Sequence, residues 1–257
     1  MVDGEKLTRI YNMCLKRDLP RLESFFAKNG KLFDEGHGLS HALKVGENCY
    51  NALCNYEGVL QNFEIFAVIR AGFYHDLDDG KFTKTINYEN ARLVAKGLPD
   101  AQVDLIIKMI DLVSCSKNGN LIDTRNPVWM YYPRWADRIE SLGKRGVEEC
   151  LAYTHHVGRP YFVAETARVK NLDELNEVAT QERFAAYHHG RKTSPDTMID
   201  HYYDKTVHLC VDTGNAWLNE QMREGMVEIH KVLFRYGGAG NNPCAGCVVD
   251  KCDIHST

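Results

Sequence analysis

The chain has 257 residues, of which 44% are hydrophobic and 26% charged, and its formal net charge is -4. These values are ordinary for a globular protein and exclude a predominantly disordered chain. The slightly acidic balance offers no general attraction for nucleic acids or anionic membranes. Any anionic ligand must therefore be held by local positive charge.

The amino-terminal stretch MVDGEKLTRIYNMCLKRDLP carries charges every few residues and lacks the apolar core of a signal peptide. No uninterrupted apolar run approaches the length of a membrane span. The 9 cysteines follow no repeating framework, which favours a reducing compartment over a disulfide scaffold. We expect a cytoplasmic protein with neither a membrane nor a nucleic-acid partner.

Helical periodicity recurs along the chain, and no segment shows convincing strand alternation, so we predict an all-α fold. The predicted apolar stripes are, in chain order, Phe66, Ile69 and Phe73; Val103, Ile106, Ile107 and Ile110; and Leu218, Met222, Met226, Ile229 and Leu233. The polar connection SKNGNLIDTRNP at 116–127 lies between the second and the third of these stripes. Connections of this length often border a functional site.

No internal repeat, low-complexity tract or linker divides the chain, which favours one helical domain. We predict an N-terminal helical extension over 1–29, the main domain over 30–237 with an enlarged region at 150–197, and a Gly/Cys-rich tail over 238–257.

Histidines and acids fall at intervals along the predicted helices. His37 and His41 stand four apart, His75 and Asp76 are adjacent, and Asp137 lies in RWADRIESLG. Imidazole nitrogen together with carboxylate oxygen suits divalent transition metals, and helical bundles present such ligands inward from several helices. The combination is more informative than any of these residues alone.

In this pattern the chain resembles the HD-domain metal-dependent phosphohydrolases, in which a His, a His-Asp pair and a distant Asp follow one another. The resemblance implies an HD-domain helical bundle whose metal ligands are His41, His75, Asp76 and Asp137. Within that superfamily, HDLDDGKF is most similar to a bacterial branch that includes nucleotide pyrophosphohydrolases. Its Asp79, Lys81 and Phe82 match that branch.

The resemblance spans roughly residues 30 to 237, because MIDHYYDKTVHL, with His201 and Lys205, and the segment from Thr213 onward also resemble that branch. One departure is Trp135, which replaces the usual acid two residues before the last ligand. Another is the longer region at 150–197. Its adjacent His155-His156 and His188-His189 pairs have no matching carboxylates, so we leave them out of the site.

We expect one metal ion, since residues 77–136 contain no histidine that could help to hold a second. Two imidazoles and two carboxylates leave about two positions of an octahedral ion open, one for water and one for a phosphate oxygen. The ion is expected to be Mn, Co, Ni or Fe, with Mg as an alternative. Asp79 is the candidate to position or deprotonate the attacking water.

Phosphoryl transfer needs positive charge near the reacting oxygens. Lys81 is a catalytic candidate of this kind, and Arg138 and Lys205 are substrate-binding candidates. Arg138 can equally hold a ligand carboxylate in place. His37 is a candidate for supporting the site beside substrate; the alternatives are a metal ligand or a residue that starts a helix.

The tail sequence CAGCVVDKCDIH offers Cys244, Cys247, Cys252 and His255, an inventory adequate for a small structural zinc site. A disordered or redox-active tail is the alternative.

The leading functional hypothesis is hydrolysis of a (deoxy)nucleoside triphosphate to monophosphate and pyrophosphate by metal-activated water. Phosphate removal from a monophosphate, as by a 5'-nucleotidase, is the runner-up. Hydrolysis of the stringent alarmone ranks lower, because Asp79 is followed by Gly80 rather than by a second acid. A catalytically silent binding or regulatory module is the alternative from another class. The sequence specifies neither the base and sugar nor the oligomeric state.

Overall fold

The computed structural model describes residues 3–33, 35–191 and 194–238, and these residues form helices and turns without any strand. The all-α prediction is thereby confirmed, whereas the four candidate zinc ligands of the tail lie outside the described residues. The α-helices are α1 (Gly4–Asn29), α2 (Leu39–Cys54), α3 (Asn62–Tyr74), α4 (Glu89–Ala95), α5 (Asp100–Asp111), α6 (Cys115–Asn118), α7 (Tyr132–Glu140), α8 (Gly143–His156), α9 (Leu172–Val178), α10 (Gln181–His188), α11 (Met198–Asp204) and α12 (Ala216–Gly238). None of them combines the length and apolar character needed to cross a membrane.

The chain divides into two compact units. The first takes in the described residues up to Glu140 together with Asp212–Gln221, and the second takes in Ser141–Val211 and the described residues from Met222 onward.

Helix α3 is the centre of the first unit. It is packed against α1, α2, α5 and α7, and Ile65 and every residue from Ala67 to Tyr74 are buried. A helix that is apolar almost all round is typical of such a central position. The single stripe predicted from Phe66, Ile69 and Phe73 therefore understates its burial, and Phe66 itself is only half-buried.

The stripe of α12 is confirmed, because all five of its predicted members are buried. In α5 the prediction is confirmed for three residues, while Ile107 is half-buried and Met109 is buried in addition. The aromatic residues before Asp137 also belong to the core: Trp129, Tyr131, Tyr132 and Trp135 are each at most 6% exposed.

Two glycines allow α2 and α3 to approach closely. A Cβ atom on Gly72 would lie 2.7 Å from Cys49 Sγ and 3.0 Å from Gly46 Cα, and one on Gly46 would lie 2.0 Å from the Phe73 ring. Contact with backbone leaves little freedom to relax, so residue 72 must lack a side chain. This close approach matters because His41 lies on α2 and His75 directly follows α3.

We expect Gly72→Ala to destabilise the protein by about 1–3 kcal/mol, the usual cost of overpacking a core, and to weaken metal binding by displacing His75 from His41. Urea denaturation and metal titration measure the two effects. Gly4→Ala is the matched control, because a Cβ atom at Gly4 meets no atom within 4 Å. An unchanged denaturation midpoint in Gly72→Ala would show that the helices are not held this closely.

The second unit is organised around α11 and its polar contacts. Buried Asp200 accepts hydrogen bonds from the hydroxyls of Thr166 and Thr197, both at 2.8 Å, and pairs with Arg183 Nη2 at 3.0 Å. Arg183 also bonds Asp204 at 2.6 Å. These bonds satisfy a buried carboxylate that would otherwise be costly.

Candidate metal centre

Three helices of the first unit bring the candidate ligands together. His41 lies in the first turn of α2, His75 directly follows the last residue of α3, and Asp137 lies within α7. Because α2, α3 and α7 pack against one another, residues distant in the sequence converge. His41, His75 and Asp137 form a group that can hold a metal ion.

The nitrogen and oxygen atoms of this group are nearly equidistant. His41 Nε2 lies 3.2 Å from His75 Nε2, and Asp137 Oδ1 lies 3.3 and 3.4 Å from these two nitrogens. Asp76 Oδ2 joins them, 3.1 Å from His75 Nε2 and 3.4 Å from His41 Nε2.

These separations fit a common ion. Ligand atoms that each lie about 2.1 Å from one ion are about 3.0 Å apart at right angles and about 3.4 Å apart in a tetrahedron. His41, His75 and Asp137 offer two imidazoles and one carboxylate to such an ion, and Asp76 lies beside them. Apart from the two histidine nitrogens, buried Asp76 Oδ2 has no hydrogen-bond partner among the described residues, as expected of a carboxylate oxygen that binds a cation.

Backbone geometry sets the direction of the His75 ring. Its Nδ1 lies 2.8 Å from the carbonyl oxygen of Gly72, so Nδ1–H donates to that carbonyl and Nε2 faces the carboxylates. Metal-binding histidines are usually oriented by such a bond from the ring nitrogen that does not bind the metal. His41 differs, because its buried Nδ1 has no hydrogen-bond partner in the described part of the chain.

The two carboxylates of the group, from Asp76 and Asp137, require two compensating positive charges. Burial disfavours the charged form of His41, but the Asp137 and Asp76 carboxylates outweigh burial and raise the pKa of His41 to about 9. The pKa of His75 is likewise raised against burial, chiefly by Asp76 and then by Asp137. The histidines in turn hold the pKa of each carboxyl far below its usual range, although burial alone would raise it. Two carboxylates are thus balanced by two imidazoliums or by one divalent ion.

Asp79 and Lys81 occupy the turn after the ligand pair. Asp79 N–H donates to Asp76 O at 3.1 Å, and the Asp79 side chain accepts from Lys81 N–H at 2.8 Å. The Lys81 amine lies 3.6 Å from Asp79 Oδ2, and the two side chains are 61% and 26% exposed. Because α3 ends at Tyr74, Asp79 lies in the turn that follows the ligand pair and not in a helix.

The neighbouring acid, Asp78, has a structural role that its sequence position does not reveal. It accepts hydrogen bonds from the backbone N–H groups of Asn90 at 3.0 Å and Ala91 at 2.8 Å, and from the Thr85 hydroxyl at 2.5 Å. Asp78 therefore caps α4. The two adjacent acids of the motif therefore differ in environment: Asp78 bonds the start of α4, whereas the Asp79 carboxylate contacts Lys81.

His37 lies near the group, with its ring centroid 5.8 Å from that of His41 and 4.7 Å from that of Phe82. Phe82 in turn packs on Phe33 at 5.2 Å. The turn that carries Asp79 is thus attached through Phe82 to the segment that leads into α2.

Arg138 is 2% exposed and its guanidinium contacts the connection after α6. It donates to Asn120 Oδ1 at 2.7 Å and to Gly119 O at 2.5 Å, while Arg134 donates to Leu121 O at 2.8 Å. Both arginines therefore fix the polar connection at 116–127. Arg138 as a substrate-binding residue stays a prediction.

Lys205 belongs to the second unit, where it follows α11 and its N–H donates to His201 O at 3.0 Å. Its predicted role with substrate also stays a prediction.

Asp78 and the two glycines at the contact of α2 and α3 are not identified from the sequence as residues that support the centre. The position of Gly72, three residues before His75, is the signal that could have indicated its role.

No family model matches the chain. The chain is 36% identical over 189 residues to the uncharacterized protein L803 of Acanthamoeba polyphaga mimivirus, and the match covers 68% of this chain and 75% of that relative. The chain belongs to the family of this viral protein.

Two crystal structures of bacterial proteins share the fold. A protein from Lactobacillus plantarum has a TM-score of 0.56 at 20% identity, covering 92% of this chain and 97% of the other. A protein from Listeria innocua has a TM-score of 0.52 at 16% identity, covering 87% of this chain and 94% of the other. At these identities the likeness concerns the fold alone.

Proposed function

We propose that the protein is a metal-dependent phosphohydrolase of the HD-domain superfamily that converts a (deoxy)nucleoside triphosphate to the monophosphate and pyrophosphate. The observation that carries the proposal is the convergence of His41, His75, Asp76 and Asp137. Their facing atoms lie 3.1 to 3.4 Å apart wherever an imidazole meets a carboxylate. The order of these ligands along the chain and the HDLDDGKF motif support the assignment to this superfamily and to its nucleotide-hydrolysing branch.

A divalent ion bound by these ligands would lower the pKa of water and polarise a phosphoryl oxygen. The protein supplies a base and a positive charge beside it. Asp79, in the turn that follows Asp76, would accept the proton that water loses as it attacks the α-phosphorus. The bond from that phosphorus to the leaving pyrophosphate then breaks. Lys81, 3.6 Å from Asp79, is exposed and long enough to neutralise charge on the departing phosphates.

The test is release of phosphate and pyrophosphate from ribo- and deoxynucleoside mono-, di- and triphosphates, with metal-stripped protein and with added Mn²⁺, Co²⁺, Ni²⁺ or Mg²⁺. We expect pyrophosphate from triphosphates only when metal is added. Phosphate from monophosphates alone would replace the proposal by a nucleotidase. No release from any substrate by metal-loaded protein would reject nucleotide hydrolysis and favour a binding module.

Asp79→Asn is expected to lower kcat by roughly 10²- to 10⁴-fold, the usual contribution of a general base, with metal content unchanged. Steady-state kinetics and elemental analysis measure the two quantities. Asp78→Asn is the matched control, because Asp78 caps α4 and its loss should reduce stability more than kcat. Equal kcat losses in the two variants would show that Asp79 only supports the turn.

A further inference from the structure

A buried polar bridge joins the two helices that carry His41 and Asp137. Asn48 of α2 and Glu140 of α7 are 2% and 6% exposed, and Asn48 Nδ2 donates to Glu140 Oε1 at 2.7 Å. The same amide nitrogen donates to Ala136 O at 3.3 Å. We call these two contacts the Asn48 bridge. One side chain of α2 thus contacts α7 at two points.

The Asn48 bridge lies on the same sides of the two helices as the ligands. Asn48 follows His41 by seven residues of α2, which is about two helical turns. Glu140 follows Asp137 by three residues of α7, which is slightly less than one turn. Ala136, the second acceptor, directly precedes Asp137. The bridge therefore contacts α7 immediately before the ligand and again one turn after it.

The polar character of the bridge is not needed merely to pack the helices. Asparagine is a weak helix former, and a buried amide or carboxyl group costs free energy unless it is hydrogen-bonded. Apolar side chains pack one helix on another without this cost, and replacing buried polar pairs by apolar ones is often neutral or stabilising. A hydrogen bond differs from apolar contact in that it has a preferred distance and direction. The bridge can therefore fix where α7 lies on α2.

A metal centre at this place tolerates little movement between the two helices. His41 Nε2 lies 3.3 Å from Asp137 Oδ1, and metal–ligand distances are normally met within about 0.2 Å. A shift of α7 along α2 by one residue would move a ligand by about 1.5 Å. Such a shift would exceed the tolerance severalfold, so a directional contact beside the ligands has a consequence for metal binding.

A second buried amide contacts the same two helices further from the ligands. Asn215 lies before α12 in the first unit and is 1% exposed. Its Nδ2 donates to Ala52 O at 2.8 Å and to Tyr132 OH at 3.2 Å. Ala52 lies in the last turn of α2, and Tyr132 is the first residue of α7. Asn215 therefore provides a comparison of equal burial that is not beside a ligand.

We propose that Asn48 and Glu140 are positioning residues of the metal centre. By fixing α7 on α2, they hold Asp137 at the distance from His41 that a common ion requires. The inference rests on the metal centre of the proposed function, but not on its substrate or its reaction. Metal affinity therefore tests it whether or not a nucleotide is hydrolysed.

The experiment measures Co²⁺ affinity by isothermal titration, the visible absorption spectrum of the Co²⁺-loaded full chain, and the Tm of the metal-free protein. Asn48→Leu keeps the branched shape of the side chain and removes the amide. We expect it to weaken Co²⁺ binding about tenfold, the lower end of the loss usual for residues that support ligands. It should also change the spectrum, which reports the coordination geometry of the ion.

Two substitutions of Glu140 separate the hydrogen bond from the charge. Glu140→Gln retains an oxygen that can accept from Asn48, so its Co²⁺ affinity and spectrum should match those of the wild type. Glu140→Leu should behave like Asn48→Leu, and combining the two should weaken binding no further, because both remove the same contact. A loss in Glu140→Gln as large as that in Asn48→Leu would assign the effect to the charge of Glu140 and overturn the inference.

The matched control is Asn215→Leu, which should lower the Tm of the metal-free protein and leave the spectrum of bound Co²⁺ unchanged. If Asn215→Leu and Asn48→Leu alter Co²⁺ affinity and spectrum alike, the bridge is ordinary packing and the inference is wrong. Asn48→Ala introduces no larger side chain and replaces Asn48→Leu if that variant does not fold. Wild-type affinity in the Asn48 variant would reject the bridge alone, whereas a wild-type chain that binds no Co²⁺ would reject the metal centre as well.

Discussion

Replacing Asp76 with alanine should abolish divalent-metal binding and, with it, nucleotide hydrolysis. Asp76 Oδ2 lies within 3.1 and 3.4 Å of the two candidate histidine ligands and has no other polar partner among the described residues. Loss of a partner that only orients a ligand typically costs 10- to 100-fold in metal affinity, so loss of a ligand should cost at least about 100-fold. Isothermal titration with Mn²⁺ or Co²⁺ measures the affinity without reference to any substrate.

The matched control is Asp104→Ala, because Asp104 is 69% exposed and pairs only loosely with Arg92 at 3.4 Å. Its metal affinity and activity should equal those of the wild type. Wild-type affinity in Asp76→Ala would exclude Asp76 as a ligand. Loss of metal with hydrolysis retained would show that the chemistry does not use this centre, and would overturn the proposed function.

Much of the fold could be predicted from periodicity, and the exceptions have a physical cause. Five apolar positions predict the buried stripe of α12, because the other positions of that helix are largely polar and contrast with them. In α3 this contrast between apolar and polar positions is missing, since Val68, Arg70 and Ala71 are buried as well as the predicted Ile69. The periodicity of apolar and polar residues in a sequence cannot indicate how many helices surround a segment that has almost no exposed face.

The candidate ligands could be predicted because their spacing along the chain resembles that of a known superfamily. The residues that support the ligands could not be predicted, because their roles depend on distances between helices. Arg138 follows a ligand directly, yet its guanidinium contacts Gly119 and Asn120. Asp78 and Asp79 are identical in chemistry, and only the position of α4 makes one of them a cap. Such roles can be assigned only from the three-dimensional structure.

The amino-terminal helix provides the second large prediction. Asp18 of α1 is completely buried, and its Oδ2 accepts a hydrogen bond from Arg70 Nε of α3 at 2.7 Å. Arg17 also contacts Asp18 and donates to the carbonyls of Ala95 and Lys96 at 3.2 and 3.0 Å, at the C-terminal end of α4. The helix predicted as an extension is thus joined by buried charge to the helix that carries His75 at its end.

Asp18→Ala is therefore expected to destabilise the protein by about 3–5 kcal/mol, since breaking a buried pair leaves an uncompensated charge. Urea denaturation measures the free energy of unfolding. Lys44→Ala, which removes a surface pair with Glu47, should change it by no more than about 1 kcal/mol. A loss of the same small size in Asp18→Ala would mean that α1 contributes little to the core.

A double variant separates the lost pair from the lost volume. Asp18→Leu combined with Arg70→Met replaces both charges with apolar side chains, which is often neutral or stabilising for buried pairs. It should recover most of the stability lost in Asp18→Ala, although Arg17 and Gln102 then lose a partner. Metal affinity is measured in both variants. If Asp18→Ala also lowers metal affinity and the double variant restores it together with stability, α1 acts on the centre through the packing of α3. If only stability is restored, the charges themselves orient the end of α3 at His75.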